Sequence, residues 1–366
     1  MELSYAIPTK VFAGNNIILQ KSDFLTNLGT RALLVTGHSS AQKSGALADV
    51  ENILAKQQIS YAIFSDVEEN PSMETVIQGA KIAQKKEIDF VVGIGGGSPL
   101  DAAKAISIMA ASKCSEETLF TQSGLDYFPV AAIPTTAGTG SEITPYAVIT
   151  DWKSRRKRTL PTNLFPEVCF LDANYTASVP PQVAVNTAID ALSHLIEGYL
   201  TRNTNPYSDA LAEKGLAIFA ECLQFIQERK FQQEVREKLL LASNLAGMVI
   251  AIARTSIPHF LGYQLTLEKG IAHGKANGLL LQSFLAFHQD QKRVKIILEK
   301  LGFVNLSELG SFLKEILSVG SEEHFTEADL QLYLQNAANN LEKLRNHPYP
   351  ATVEDLYTIY EESLLN

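Results

Sequence analysis

Residues 90–101 read FVVGIGGGSPLD, an apolar run that passes through a glycine-rich turn into a helical pattern. The run at 90–94 predicts a buried strand, and residues 99–111 predict the helix that follows it. Glycines let backbone N–H groups approach an anion, and Ser98 and Pro99 suit the first positions of a helix. The unpaired N–H groups at such a helix start can bind a pyrophosphate, although an ordinary turn explains a single glycine-rich loop equally well.

The same alternation extends on both sides of this stretch. Apolar runs at 32–36, 61–64 and 130–133 predict further strands, and the segments at 45–57 and 73–86 predict helices between them. Continuous apolar strands separated by helices are typical of a parallel sheet that is covered on both faces. The first half of the chain therefore predicts an α/β domain of the Rossmann-like, nucleotide-binding type.

The pattern changes near Pro180 and Pro181, beyond which strand-like runs disappear and long helical patterns continue to the C-terminus. Proline suits the first turn of a helix. We therefore predict two domains, an α/β domain at 1–178 and an all-helical domain at 179–366.

Composition excludes several classes of protein. The formal net charge of -9 argues against a general nucleic-acid binder. The three cysteines form no CxxC pair, which favours a reducing compartment over a disulfide framework or a thiolate zinc site. The first residues show no signal-peptide pattern, and the most apolar stretch, at 239–253, is too short to cross a bilayer. We expect a cytoplasmic protein without a membrane segment.

A second loop, at residues 134–142, reads PTTAGTGSE and follows the last of the predicted strands. It concentrates hydroxyl groups and glycines where the strand ends. Two such loops at the carboxyl ends of parallel strands converge on one crevice, which is where open α/β sheets bind ligands. Together the two loops favour a dinucleotide site over a mere threonine-rich turn.

A polar column runs along the helix predicted at 183–200. It consists of Asn186, Asp190, His194 and Glu197, spaced three or four residues apart on one face. The remaining faces are apolar, so the column needs partners inside the protein. A metal ion is one such partner, and a structural hydrogen bond between Asp190 and His194 is the other.

Two further histidines, His259 and His273, follow helical patterns later in the chain and favour the metal. One carboxylate and three imidazoles suit Fe²⁺ or Zn²⁺ better than Mg²⁺ or Ca²⁺, which prefer oxygen ligands. The predicted ligands are thus Asp190, His194, His259 and His273. The other four histidines are predicted to be surface or satisfied core residues.

In combination these motifs resemble the iron-containing (group III) alcohol dehydrogenase family. The resemblance runs from the early strand to about residue 285. It rests on four motifs. They are residues 95–98 with Asp101 and Lys104, residues 134–136 with 141–142, residues 190–194, and His259 with residues 273–274. The resemblance implies a dehydroquinate synthase-like architecture with an NAD(P)-binding domain followed by a helical, metal-binding catalytic domain.

The family also implies an activity and a cofactor site. The activity is metal-dependent hydride transfer between NAD(P)(H) and a primary alcohol or aldehyde. The implied cofactor residues are Asn70, Gly95, Gly96, Gly97, Ser98, Asp101, Thr135, Thr136, Thr139, Ser141 and Lys157, with Gly37 at the adenosine ribose. Lys157 belongs to the basic cluster at 155–158, which by itself predicts a solvated surface turn.

The sequence departs from the family pattern at two positions. Gly37 stands where NAD-preferring relatives carry an aspartate, and without that carboxylate a 2′-phosphate is not repelled, so we favour NADP(H) over NAD(H). Tyr263 replaces a histidine that lies near the nicotinamide in many relatives. Tyr263 and Lys157 are the candidate catalytic residues, although a water could relay the proton instead. The stretch at 254–266 resembles the branch near phosphonoacetaldehyde reductases, which hints at small or anionic aldehydes.

Two alternatives stay open at this point. One is lyase-type or polyol dehydrogenase chemistry on the same fold, and the other is a non-catalytic protein that binds metal and nucleotide. The resemblance further implies a homodimer, in which a strand at 10–13 could pair across subunits. The expected partner is a small alcohol or aldehyde rather than a nucleic acid or a membrane.

Overall fold

The computed structural model describes residues 5–154, 156–317, 324–338 and 341–365. The chain divides into two compact units, Ala6–Val179 and Pro180–Asn366, and Tyr5 belongs to the second. The first unit is α/β, and the described part of the second is helical.

A parallel sheet lies at the centre of the first unit. The strands of this unit are β1 (Lys10–Ala13), β2 (Arg31–Gly37), β3 (Ser60–Val67), β4 (Phe90–Gly95), β5 (Val130–Pro134), β6 (Val148–Asp151), β7 (Arg156–Thr159) and β8 (Val168–Leu171). Six of them pair in parallel in the order β1-β8-β5-β4-β2-β3, while β6 and β7 form an antiparallel hairpin. The four predicted strands are β2, β3, β4 and β5, so the predicted fold class is confirmed for this unit.

Helices cover both faces of the sheet, as the apolar strands require. The helices of the first unit are α1 (Ile17–Gln20), α2 (Asp23–Thr26), α3 (Ser40–Lys43), α4 (Ala46–Lys56), α5 (Met73–Lys85), α6 (Gly97–Ser112) and α7 (Glu116–Thr121). Alternate residues of β2 point to opposite faces. Leu33 and Val35 join the core under α5 and α6, whereas Ala32 and Leu34 join the core under α1 and α4.

One sequence expectation about this unit needs revision, and another stays untested. The basic cluster is not a solvated turn, because residues 156–158 lie in β7; Lys157 is buried, and Arg158 forms an ion pair with Asp151 at 3.3 Å. Arg155, also part of that cluster, lies outside the described residues. Strand β1 pairs with β8 of the same chain and forms one edge of the sheet, so pairing across subunits stays a prediction.

The second unit is a helical assembly built around one long helix. Its helices are α8 (Pro181–Leu200), α9 (Pro206–Ala220), α10 (Leu223–Gln227), α11 (Gln233–Ala253), α12 (Ile257–Lys269), α13 (His273–Phe287), α14 (Gln291–Leu301), α15 (Leu306–Leu317), α16 (Glu327–Ala338) and α17 (Val353–Leu364). Helix α8 begins at a proline and is packed by α9, α11 and α13. All of its residues from 188 to 200 are buried, so the polar side chains in this stretch must find partners inside the unit.

Within the described ranges, no single helix has the length and apolar composition needed to span a membrane. Helices α11 and α12 meet that requirement only as a pair, and they are bent by 110° where they join.

Candidate active site

The two loops predicted to bind a dinucleotide lie against each other in the first unit. The N–H of Thr135 donates to the carbonyl of Gly95 at 2.8 Å, which joins the ends of β4 and β5. A Cβ at Gly97 would lie 2.6 Å from the Cγ2 atom of Thr139, so only glycine allows this approach. The hydroxyl of Thr135 is buried and has no hydrogen-bond partner within the described part of the chain. An orphaned polar atom at such a loop fits a site that binds a polar ligand.

Asn70 and Ser98 are held together beside these loops. The N–H of Asn70 donates to the Ser98 hydroxyl at 3.1 Å, and the Thr150 hydroxyl donates to the Asn70 carbonyl at 3.0 Å. Asn70 adopts a left-handed backbone conformation with φ of 58°. The structure thus places Asn70, Gly95, Gly97, Ser98, Thr135 and Thr139 in one neighbourhood.

A buried lysine, Lys104, ties the second loop to helix α6. Its Nζ donates to the Ser141 hydroxyl at 3.0 Å and to the carbonyls of Thr144 and Tyr146 at 2.9 and 2.7 Å. The side chain is fully buried, and this burial lowers the pKa of Lys104 to about 8, although the charge of Asp101 opposes the shift. Lys104 belongs to one of the motifs that carry the family resemblance, but no role was predicted for it.

The carboxylate of Asp101 accepts hydrogen bonds from other residues of the first unit. It accepts the Ser141 hydroxyl at 2.5 Å and the Val148 N–H at 2.9 Å. Burial raises the pKa of Asp101, while the positive charges of Lys104 and Lys157 work in the opposite direction. Asp101 therefore braces the loop, and Lys157 lies close enough to influence its charge.

In the second unit, three of the four predicted metal ligands converge. Donor atoms of Asp190 on α8, His259 on α12 and His273 on α13 all lie within 4.8 Å of one another. The Asp190 Oδ1 atom is 3.6 Å from the His259 Nε2 atom and 3.8 Å from the His273 Nε2 atom. His194 does not join this group of three, but its ring stacks on that of His259 with centroids 4.5 Å apart.

Close helix packing brings these ligands together. A Cβ at Gly274, the second residue of α13, would lie 1.8 Å from the carbonyl oxygen of Asn186 on α8. Only a glycine lets α13 begin this close to α8, which places His273 beside Asp190.

The charges of the cluster are strongly coupled. Burial opposes ionisation of Asp190, but His194, His273 and His259 outweigh it and hold the pKa of this carboxyl far below its usual range. Burial also lowers the pKa of His259, yet Glu197 and Asp190 overcome that effect and raise it to about 9. The site thus stabilises positive charge, as a cation-binding site must.

Asn277 completes the polar cluster. Its amide nitrogen lies 3.0 Å from the Asp190 Oδ1 atom, 3.1 Å from the His259 Nε2 atom and 3.3 Å from the His273 Nε2 atom. Its amide oxygen is buried without a hydrogen-bond partner among the residues described. Nitrogen and oxygen of such an amide exchange by a half-turn of the side chain, so Asn277 can present an oxygen to a cation. Together with one carboxylate and several imidazoles, this donor set fits Fe²⁺ or Zn²⁺.

Comparisons with known proteins decide the family. Residues 8–173 match the family described as iron-containing alcohol dehydrogenase, and residues 184–364 match the C-terminal part of the Fe-containing alcohol dehydrogenase family. The chain belongs to the iron-containing alcohol dehydrogenase family. The family resemblance inferred from the motifs is therefore confirmed.

Relatives of this iron-containing alcohol dehydrogenase cover most of its length. It is 34% identical over 292 residues to a 1-propanol dehydrogenase of Citrobacter freundii, covering 79% of this chain and 75% of that protein. It is 30% identical over 373 residues to an NADPH-dependent butanol dehydrogenase of Clostridium saccharobutylicum, covering 100% and 89% of the two chains. The crystal structure of an iron-containing alcohol dehydrogenase from Thermotoga maritima is 39% identical, with a TM-score of 0.91 and 99% of each chain covered. The predicted two-part architecture is confirmed by this likeness.

The predicted catalytic residues of this iron-containing alcohol dehydrogenase lie in different units. Tyr263 on α12 stacks on His273 with centroids 5.2 Å apart and ring planes 10° from parallel, which places it beside the metal cluster. Lys157 on β7 belongs to the first unit. Their catalytic roles stay predictions.

Two residues of the metal cluster have no role in the sequence analysis. Asn277 lies four residues after His273 on α13, a spacing that would have shown that the two share a helix face. Glu197 was recognised only as a member of the polar column, yet its carboxylate contacts His259 directly.

Proposed function

We propose that the protein transfers hydride between NADP(H) and a short primary alcohol or aldehyde, with the help of an Fe²⁺ ion in its helical unit. The observation that carries this proposal is the convergence of Asp190, His259 and His273 in a chain of the iron-containing alcohol dehydrogenase family. His194 would be the fourth ligand, because its ring already lies against that of His259. Zn²⁺ also suits this donor set, and metal analysis distinguishes the two ions.

In this proposal the two domains divide the work. Residues 1–178 would bind the cofactor, and residues 179–366 would bind the metal and the substrate. The N–H groups at the start of α6 would hold the pyrophosphate, with Ser98, Thr135 and Thr139 beside them. Lys157 would contact the cofactor near Asp101, whereas Asp101 and Lys104 would keep the second loop in shape.

The metal and the cofactor would supply the chemistry, and the protein would position them. A divalent ion would act as a Lewis acid toward the oxygen of the alcohol or aldehyde, and the nicotinamide would carry the hydride. Asp190 would balance the positive charge through its carboxylate. Tyr263, stacked on His273, would hold or pass the proton at the substrate oxygen.

Several finer points belong to the same proposal. Gly37 ends β2 and leaves no carboxylate to repel a 2′-phosphate, which supports NADP(H) over NAD(H). An NADPH-dependent butanol dehydrogenase among the relatives agrees with this preference. Small, including anionic, aldehydes stay the predicted substrate class. We further propose a cytoplasmic homodimer.

The test combines metal analysis with a substrate screen. Protein purified without air should contain about one iron per chain and should oxidise NADPH faster than NADH with at least one member of a panel of short aldehydes. The variant His259→Ala should lose both the metal and the turnover. If it kept both, the ligand set would be wrong. Metal-loaded protein that consumes no cofactor with any aldehyde or alcohol would favour the lyase-type alternative.

A further inference from the structure

Glu197 is a buried carboxylate of α8 whose role the family assignment leaves open. Its side chain has no solvent-exposed surface. One carboxylate oxygen contacts the Nδ1 atom of His259, and the other accepts the N–H of Ser256 at 2.7 Å and that of His259 at 3.3 Å. All three contacts go to the segment that begins α12. A buried carboxylate without hydrogen-bond donors would cost considerable free energy, and these donors offset that cost. The contacts indicate two roles for Glu197.

The first of these roles concerns the start of α12. Ser256 precedes this helix and would ordinarily cap it with its own hydroxyl. That hydroxyl instead lies 3.2 Å from the Nδ1 atom of the buried His347. Glu197 takes its place by accepting the N–H groups of residues 256 and 259, and so fixes the helix turn that carries the His259 ring.

The second role concerns the ring itself. A carboxylate can only accept hydrogen bonds, so the ring nitrogen that faces it must carry a hydrogen. With Nδ1 protonated and directed at Glu197, the Nε2 atom of His259 is left to face Asp190 at 3.6 Å. A metal ion that displaces the hydrogen of Nε2 leaves a neutral imidazole with its hydrogen on Nδ1, whose Nε2 lone pair is the one that a metal ion binds.

We propose that Glu197 is a positioning residue that selects the metal-binding tautomer of His259 and thereby sets the affinity of the site for its divalent ion. The inference rests on the proposed function, since it assigns a partner to one of the proposed ligands. Residues that orient a metal-bound histidine in this way typically change metal affinity by about 10- to 100-fold when they are replaced.

The decisive variant is Glu197→Gln, which keeps the size of the side chain and reverses part of its hydrogen bonding. The new amide can still accept the backbone N–H groups with its oxygen. Its NH₂ group then faces His259 and donates to Nδ1, which moves the imidazole hydrogen to Nε2 and blocks the metal. Glu213→Gln is the matched control, because Glu213 lies in the same unit and pairs with Lys300 at 2.8 Å.

The probe is Co²⁺ alone, titrated without air into metal-free full-length protein and followed by its visible absorption. We expect Glu197→Gln to bind Co²⁺ 10- to 100-fold more weakly than wild type, and Glu213→Gln to bind like wild type. Glu197→Asp keeps an acceptor-only carboxylate and should lie between the two. It also serves as the test variant if Glu197→Gln does not fold.

Melting temperatures with and without Co²⁺ separate positioning from a purely structural role. A structural role would lower both temperatures equally and leave the Co²⁺ affinity unchanged, and that result would overturn the inference while the proposed function stood. Wild-type protein that takes up no Co²⁺ would overturn the proposed function, and the inference with it. A reduced gain in melting temperature, with weakened Co²⁺ binding, in Glu197→Gln but not in Glu213→Gln would support it.

Discussion

The contact between α13 and α8 gives the sharpest test of how the metal ligands are placed. A Cβ added to Gly274 would lie 1.8 Å from the carbonyl oxygen of Asn186, 2.8 Å from its carbonyl carbon and 2.9 Å from the Cβ of Asp190. Two of these atoms belong to the backbone of a long, packed helix, so they cannot rotate away. The substitution Gly274→Ala must therefore push the start of α13 away from α8.

The size of this movement follows from the distances. Ordinary van der Waals contact begins at 3.4 Å, so the two helices must separate by about 1.6 Å at this point. His273 directly precedes Gly274, and a metal–ligand bond tolerates a change of only about 0.2 Å. Misplacement of a reacting group by about 1 Å can cost about 100-fold in rate. We expect a turnover loss of at least this size, together with about 1–3 kcal/mol of stability from overpacking.

The assay measures iron per chain after anaerobic gel filtration, NADPH oxidation and the free energy of unfolding. Gly310→Ala is a matched control at the contact between α15 and α13, since its Cβ would lie 1.9 Å from the amide oxygen of Gln282. Gln282 is exposed and its side chain can swing aside, so this variant should keep its iron and its turnover. Gly274→Ala with wild-type iron content and activity would refute the reasoning.

Three further predictions concern other parts of the molecule. In Gly37→Asp the new Cβ meets no atom closer than 3.4 Å, so the backbone accepts a side chain at this position. The added negative charge should weaken the binding of NADPH relative to that of NADH by about tenfold. An unchanged ratio of the two affinities in fluorescence titrations would count against a ribose site there. Lys104→Met removes the positive charge beside the buried Asp101 and the donor to the Ser141 hydroxyl and to the carbonyls of Thr144 and Tyr146. It should cost about 3–5 kcal/mol in urea unfolding and weaken cofactor binding. Wild-type stability would contradict the bracing role of Lys104. Burial, with His288 and Arg202 nearby, lowers the pKa of His347 to about 4. As the pH falls from 6.5 to 4, the unfolded chain protonates this histidine before the folded protein does, so the free energy of unfolding should fall by up to about 3 kcal/mol. His347→Gln should flatten this part of the curve of stability against pH, and a variant with the wild-type slope would exclude His347 as its source.

The sheet was predictable where the strand signal is local. Strands β4 and β5 are buried at every residue, and such runs are visible in any window of the sequence. Strand β8 also reads as a short buried apolar run, VCFL, but it was missed because it follows the β6–β7 hairpin rather than a helix, so the alternation of strands and helices does not indicate it. The β6–β7 hairpin was missed because its second strand reads RKRT, a charged run that pairing with β6 turns into a strand with one buried lysine.

The helical class of the second unit was predicted from the sequence, but the contacts among its buried polar side chains were predicted less well. The spacing of Asp190, His194 and Glu197 indicated a buried polar column, and α8 buries all three. Which of them would meet His259 depends on how α12 packs on α8, and no local pattern encodes that packing. The remaining histidines agree with expectation: His38 and His324 are exposed, and His288 and His347 are buried with hydrogen bonds to the protein.

The metal cluster shows why spacing along one helix is a limited guide to a site. The i, i+4 pair of Asp190 and His194 was the clearest signal in the sequence, yet the donor atoms that converge come from three different helices. That convergence depends on Gly274, where backbone meets backbone, and on Glu197, which turns the ring of His259 toward Asp190. Residue types therefore indicate which metal the site binds, whereas contacts between helices decide which ring nitrogen faces the metal. A substitution that preserves all four predicted ligands can still abolish binding if it changes either contact.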